Sequence, residues 1–170
     1  MIEVKFPQEG RPPTQLVGVN VRPYALTFLK NLGSKYEIIA FTASIEEYAN
    51  QVIDFLDPQG TIFKHRLYRD HCVTFEKQFV KDLRILNRDL NNVLIVDNII
   101  YSFALQIDNG IPVFSWLRDP EDCELVKLEG LLLEMEGCSH STKEFVKLSL
   151  RLNCFYNFLY RSGAGLRNLK

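Results

Sequence analysis

Apolar residues in this chain come in short unbroken runs, set apart by stretches where they recur every three or four positions. EIIAFT (37–42) and the VLIV inside NNVLIVDN (93–96) are rich in β-branched and aliphatic side chains and too short for helices. They read as strands buried on both faces, and GIPVFSW (110–116) gives another. RPYALTFLKNLG suits a short helix with Leu26, Phe28 and Leu29, opened by Pro23 and closed by Gly33. Ser44 and Glu47 have capping-box spacing and start a helix through Leu56, which Asp57-Pro58-Gln59-Gly60 stops. HRLYRDHCV reads as extended, followed by a turn and a short helical piece around KDLRILNRDL. Asp119 and Pro120 cap a helix ending near Gly137. A second capping box, Ser141 to Glu144, opens a helix on which Phe145, Leu148, Leu152, Phe155 and Leu159 recur at helical spacing, ended by Gly163 and Gly165. Docking on its own core is the expectation for that helix, with partner binding as the alternative.

Strands alternating with helices predict an α/β fold with a parallel sheet flanked by helices. Ligands in such sheets bind outside the carboxyl ends of the strands. Thr42 closes EIIAFT, and Asp97 and Asn98 close NVLIVDN, so these residues are expected to converge on one sheet edge. A carboxylate and an amide oxygen are hard donors suited to Mg²⁺. A threonine hydroxyl can donate to phosphate, and Lys81, ahead of the short helical piece, can neutralise its charge. Plainer readings stand beside these. An Asp-Asn pair after a strand also makes an ordinary turn, Thr42 can be a strand end, and Lys81 can be a solvated cation.

Composition narrows the field. The 170 residues are 46% hydrophobic and 24% charged, with net charge −1, as in an ordinary globular domain large enough for a sizeable core. Near neutrality argues against a broad nucleic-acid footprint. No apolar run reaches the roughly 18–20 residues of a membrane span, and MIEVKFPQEGRPP lacks an apolar signal core. Cys72, Cys123, Cys138 and Cys154 form no CxxC pair and read as reduced thiols. His65, His71 and His140 do not pair with them at zinc-finger spacing. An intracellular protein of cytoplasm or nucleus is expected.

Seven blocks in order carry a resemblance: RPYALTFLKNL, YEIIAFTAS, YANQVIDFLDP, HRLYRDHC, FVKDLRILNRDL, VLIVDN and NGIPVFSW. Over residues 16 to 136 the chain resembles the small C-terminal-domain phosphatases (FCP/SCP, or NLI-interacting-factor-like), a branch of the haloacid dehalogenase superfamily. The resemblance implies a haloacid-dehalogenase-like (Rossmannoid) parallel sheet in residues 1–140, followed by a C-terminal amphipathic helix and tail in 141–170. It implies Mg²⁺-dependent removal of phosphate from serine or threonine in protein substrates. Residue by residue, Thr42 matches the threonine that holds the transferring phosphoryl group, and Lys81 the lysine that steadies nucleophile and phosphate. Asp97 and Asn98 match the metal-site pair, with Asn98 the direct ligand, and Arg69 matches an arginine beside the substrate groove.

One departure bears on activity. The family's nucleophile and its acid/base partner are the aspartates of a DxDxT or DxDxV motif ending the first strand, and these 170 residues contain no such motif. Loss of a covalent nucleophile costs on the order of 10⁴–10⁶ in rate. As it stands the chain is expected to be inactive and to bind Mg²⁺ poorly. The first strand of the sheet is expected to come from polypeptide outside these residues or from a partner. The alternatives are a pseudophosphatase that binds phosphorylated or extended peptides and an inner-membrane import-receptor-like domain that binds presequences.

Overall fold

The computed structural model describes residues 2–6, 15–138 and 141–149, in two compact units. One takes in Met1–Cys72 and Phe114–Glu136, the other Val73–Val113 and Gly137–Lys170. Cys154, His140, Leu152, Phe155, Leu159, Gly163 and Gly165 lie outside the described residues.

The first unit opens with an antiparallel pair, β1 (Ile2–Phe6) and β2 (Gln15–Val19), that the sequence patterning did not signal. Helix α1 (Ala25–Leu32) follows, then β3 (Ile38–Phe41), α2 (Glu46–Leu56) and β4 (Phe63–Leu67). Strands β3 and β4 pair in parallel, as expected of a β-α-β unit. Ala49 and Ile53, four residues apart on α2, are both buried. So are Leu128, Leu132 and Met135 on α3 (Glu124–Glu136). Across from α3, Asn31 Nδ2 donates to the buried Glu129 at 2.8 Å, and Tyr36 donates its hydroxyl to Leu132 O. Arg22 grips Asp122 with two hydrogen bonds of 2.7 and 2.8 Å and also donates to Phe114 O. That hydrogen-bonded arginine holds the Asp122 carboxyl below its ordinary value, against the opposing effect of desolvation.

Three boundaries differ from expectation. The Ser44–Glu47 capping box does not form, and α2 starts at Glu46 behind Ile45 without a side-chain cap. Ser44 is engaged elsewhere: its N–H donates to Thr42 Oγ1, and its carbonyl accepts from Arg69 N–H. Helix α3 begins after Cys123, because Asp119 is spent on a local turn to Glu121 N–H. The strand expected over GIPVFSW stops at Pro112, since Phe114 N–H donates to Glu124 and its carbonyl is taken by Arg22.

The stop of α2 matches expectation, with a device the pattern does not reveal. Asp57 is buried, and its carboxylate accepts the N–H groups of Thr61, Ile62 and Phe63 at 3.0, 2.8 and 3.0 Å. Gly60 turns the chain at φ +64°, a conformation costly for other residues. Burial pushes the Asp57 carboxyl up, but the three amide donors outweigh it and hold it below its ordinary 3.8.

The second unit has an antiparallel hairpin, β5 (Val73–Phe75) and β6 (Gln78–Val80), and a parallel pair, β7 (Ile95–Asp97) and β8 (Gly110–Pro112). The hairpin turns on Glu76 and Lys77, both left-handed at φ 46° and 65°. A 3₁₀ segment, Ile100–Asn109, links β7 to β8 and kinks at Phe103 and Gln106. Leu83, Ile95 and Phe103 form the core. Gly110 lies against Phe103, where an added Cβ would stand 2.1 Å from the ring. Helix α4 (Thr142–Ser149) is capped by Ser141 as expected and docks on this unit through Phe145 and Val146. The buried face differs from the expected stripe: Val146 is inside, while Leu148 is 68% exposed. The expected parallel sheet therefore appears, among the described residues, as two parallel ladders of two strands each.

These contacts make three variants informative for stability. Asp57→Ala, which orphans three amide donors, should cost about 1–3 kcal/mol in urea unfolding. Because the folded carboxyl lies below 3.8, its contribution is complete above roughly pH 4 and is lost as pH falls through the folded value. The stability of Asp57→Asn should accordingly fall less than wild type between about pH 4 and 2. Gly110→Ala should overpack the Phe103 ring and cost about 1–3 kcal/mol, outweighing the smaller gain that alanine brings at an ordinary φ of −95° by restricting the unfolded chain.

Candidate functional site

Of the expected site residues, Thr42 and Arg69 belong to the first unit and Lys81, Asp97 and Asn98 to the second. Each group is brought together within its own unit.

Thr42 follows β3 and prolongs its ladder, donating its N–H to Leu67 O at 2.9 Å. Its Oγ1 accepts Ser44 N–H at 3.1 Å, which fixes the side chain and still leaves the hydroxyl a proton to donate. Arg69 lies in a 3₁₀ turn, Arg69–His71, where the sequence suggested extended chain. It runs along the same loop, with its N–H on Ser44 O at 3.0 Å and Nε on Ala43 O at 2.8 Å. The Cys72 thiol lies 3.9 Å from Thr42 O and 3.8 Å from Tyr68 O. A hydroxyl at the end of β3 and a guanidinium bonded to the loop that follows it are suited to an anion.

In the second unit, Lys81 emerges from β6 and Asp97 ends β7. Their side chains pair at 2.5 Å and are only 11% and 7% exposed. Asp97 is inside because it follows Ile95 by two residues, so both point to the core face of the strand. Its second oxygen accepts Ile99 N–H at 2.7 Å. Lys81 is held through its main chain as well, donating N–H to Ser102 O at 2.6 Å. Asn98, the next residue, is exposed.

Fit to Mg²⁺ can be judged from these partners. Each Asp97 oxygen is already engaged, one by an ammonium and one by an amide. A cation so close competes directly with a metal for that carboxylate. Among the described residues, no group of three or more His, Cys, Asp or Glu is placed to hold a metal. Mg²⁺ takes near-octahedral oxygen coordination, and Asp97 with Asn98 does not fit it alone. As arranged, Asp97 serves Lys81.

Asp82 and Gln106 belong to the same constellation and were not anticipated. Asp82 caps the 3₁₀ turn Leu83–Leu86 through Arg84 N–H. Hydrogen bonding from Arg84 is the largest influence holding its carboxyl below the ordinary value. Gln106 bonds both Asp82 and Leu83. KDLR, an acid two residues before a basic residue and ahead of apolar ones, could have signalled the cap; nothing local signals Gln106.

Comparison with known proteins agrees with the resemblance. The family of NLI interacting factor-like phosphatases matches residues 2–142. CTD small phosphatase-like protein 3 of Caenorhabditis elegans is 41% identical over 159 residues, 92% of this chain and 55% of that protein. The human carboxy-terminal domain RNA polymerase II polypeptide A small phosphatase 2 is 41% identical over 131 residues, 77% of this chain and 48% of its own. The chain thus spans about half the length of these relatives. In fold it is similar to the fission yeast RNA polymerase II CTD phosphatase Fcp1 bound to beryllium fluoride, with a TM-score of 0.53 at 18% identity over 96% of this chain and 56% of that one. Among the described residues, no helix is long and apolar enough to cross a membrane. On the match of residues 2–142, the chain belongs to the NLI interacting factor-like phosphatase family.

Proposed function

We propose that these residues form the phosphate-holding part of a protein serine/threonine phosphatase-type domain acting on phosphorylated, extended peptide segments. The single observation that carries this reading is the buried Lys81–Asp97 pair at the mouth of β7. A lysine sequestered with its carboxylate is a preset cation, aimed rather than solvated, and therefore suited to a phosphoryl oxygen. Within the first unit, Thr42 after β3 and Arg69 in the 3₁₀ turn bonded to that loop are a hydroxyl and a guanidinium of the kind that binds an anion.

Hydrolysis by an aspartyl-phosphate route needs a carboxylate nucleophile and an acid/base partner. The 170 residues contain no DxDxT or DxDxV motif, so alone they should bind phosphopeptide without cleaving it. Turnover would require that motif from polypeptide outside these residues. Strands β3 and β7 each have one ladder edge without a strand partner among the described residues, as an added strand would require. The human relative's printed name specifies the carboxy-terminal domain of RNA polymerase II polypeptide A, and a repeat peptide carrying phosphoserine is the probe to use first.

The purified chain should bind that peptide and release no inorganic phosphate. Phosphate release at rates typical of an enzyme would overturn the role assigned to the missing motif. Absence of binding would overturn the phosphate-site reading. Lys81→Met alone should cost about 3–5 kcal/mol in urea unfolding, because Asp97 is left buried without its cation. The double variant Lys81→Met with Asp97→Leu should recover most of that stability while phosphopeptide binding stays lost. Recovery of both would mean that the pair is structural only.

A further inference from the structure

The site reading leaves unexplained what aims Lys81. Its side chain is long, and three flexible bonds separate its Cβ–Cγ stem from Nζ, so the direction of the ammonium depends on where the main chain places its root. That stretch, Lys81-Asp82-Leu83, runs from the end of β6 into the first residue of a short 3₁₀ turn and belongs to no ladder. Three hydrogen bonds hold it to the 3₁₀ segment Ile100–Asn109. Lys81 N–H donates to Ser102 O at 2.6 Å, Leu83 N–H donates to Gln106 Oε1 at 2.9 Å, and Gln106 Nε2 donates to Asp82 Oδ1 at 3.0 Å. One carboxamide therefore satisfies a main-chain donor and a carboxylate on two successive residues.

Gln106 does this from an irregular point of its backbone. The 3₁₀ segment breaks there, at φ −135° and ψ 58°. The break coincides with the residue whose side chain meets the lysine loop. The Asp82 carboxylate is also shared with Arg84, so the side-chain amide meets an acceptor already fixed on both sides. Below this ring Leu83 packs with Ile95 and Phe103, and Ile95 is two residues from Asp97.

We propose that Gln106 is a positioning residue for Lys81: its amide clamps the two residues after the lysine and so sets where the ammonium meets Asp97 and an incoming phosphate. The proposal deepens the phosphate-site reading and rests on it for the phosphate, but not for the orientation of Lys81. Gln106 acts through Lys81 and touches no reacting atom.

The test uses the full chain, with inorganic phosphate and the phosphoserine peptide as probes and the ¹H–¹⁵N signal of the Lys81 ammonium as an orientation readout. That signal is identified by its loss in the Lys81→Met, Asp97→Leu double variant. In Gln106→Leu, phosphate and peptide affinities should fall about threefold to tenfold, the scale of one hydrogen bond. The Lys81 signal should shift or broaden. Ile107→Val, which trims the same core without touching the clamp, should lower the melting temperature and move neither readout. Should the leucine variant not fold, Gln106→Glu keeps the acceptor for Leu83 N–H, loses the donor to Asp82 and should move both readouts in the same direction. A lowered melting temperature with wild-type affinity and an unmoved Lys81 signal would overturn the proposal. If the double variant binds phosphate as well as wild type, the phosphate-site reading fails instead. The clamp then stands or falls on the Lys81 signal.

Discussion

A lysine and an aspartate that have largely left water must satisfy each other, and much of the second unit is arranged around that requirement. At 2.5 Å the attraction is strong in a low-dielectric setting, but desolvating two charges offsets most of it. Such a pair adds little net stability while making its own disruption expensive. The surrounding contacts read as the means of keeping it assembled. Ile99 N–H occupies the second Asp97 oxygen, Ser102 O anchors the lysine main chain, and Leu83 and Ile95 bury the neighbouring positions on both sides. The core and the polar pair are thus one structure: Leu83 lies two residues after the lysine, and Ile95 two before the aspartate.

Much of the fold was legible because its signals are long or redundant. EIIAFT holds a strand and the second half of VLIV opens another, though β3 is half-buried along its length rather than buried on both faces, and the DPQG stop of α2 and the Ser141 cap of α4 are where the pattern puts them. What was not legible depends on competition among distant groups. Ser44 has the right spacing to cap α2, but Thr42 and Arg69 claim its main chain first. Asp119 caps a turn instead of a helix, and Phe114 leaves its strand for Arg22 and Glu124. The β5–β6 hairpin escaped notice for a local reason: its turn is Glu76-Lys77, with neither the Asn-Gly nor the Asp-Gly that marks left-handed turns. In α4 the face is set by the surface it meets, which takes Val146 and leaves Leu148 outside.

The candidate site shows the same division. Residue types placed Thr42, Asp97 and Asn98 at strand ends, where charge and hydrogen-bonding groups are conspicuous, and Lys81 ahead of a short helical piece. Geometry adds what spacing cannot carry. Asp97 faces a lysine sixteen residues earlier, and Gln106 reaches the same loop from a residue at which its own segment breaks. A glutamine in the apolar stretch IIYSFALQI has no sequence signal that separates a clamp from a solvated side chain.

An acidic or hydroxyl residue at the end of a strand can serve as a turn-former or as a site residue. The structure removes the opposition. Thr42 Oγ1 accepts from Ser44 N–H and Asp97 Oδ1 from Ile99 N–H, each two residues onward, in the local turn favoured by such side chains. A carboxylate has two oxygens, and the other one of Asp97 holds Lys81. A hydroxyl that accepts still has a proton to give. In both places the turn immobilises the side chain at the cost of one acceptor and leaves its remaining valence aimed by the main chain. A freely rotating side chain would have to lose that rotational freedom on meeting a ligand. The ordinary turn is therefore the means by which each side chain is made ready to act.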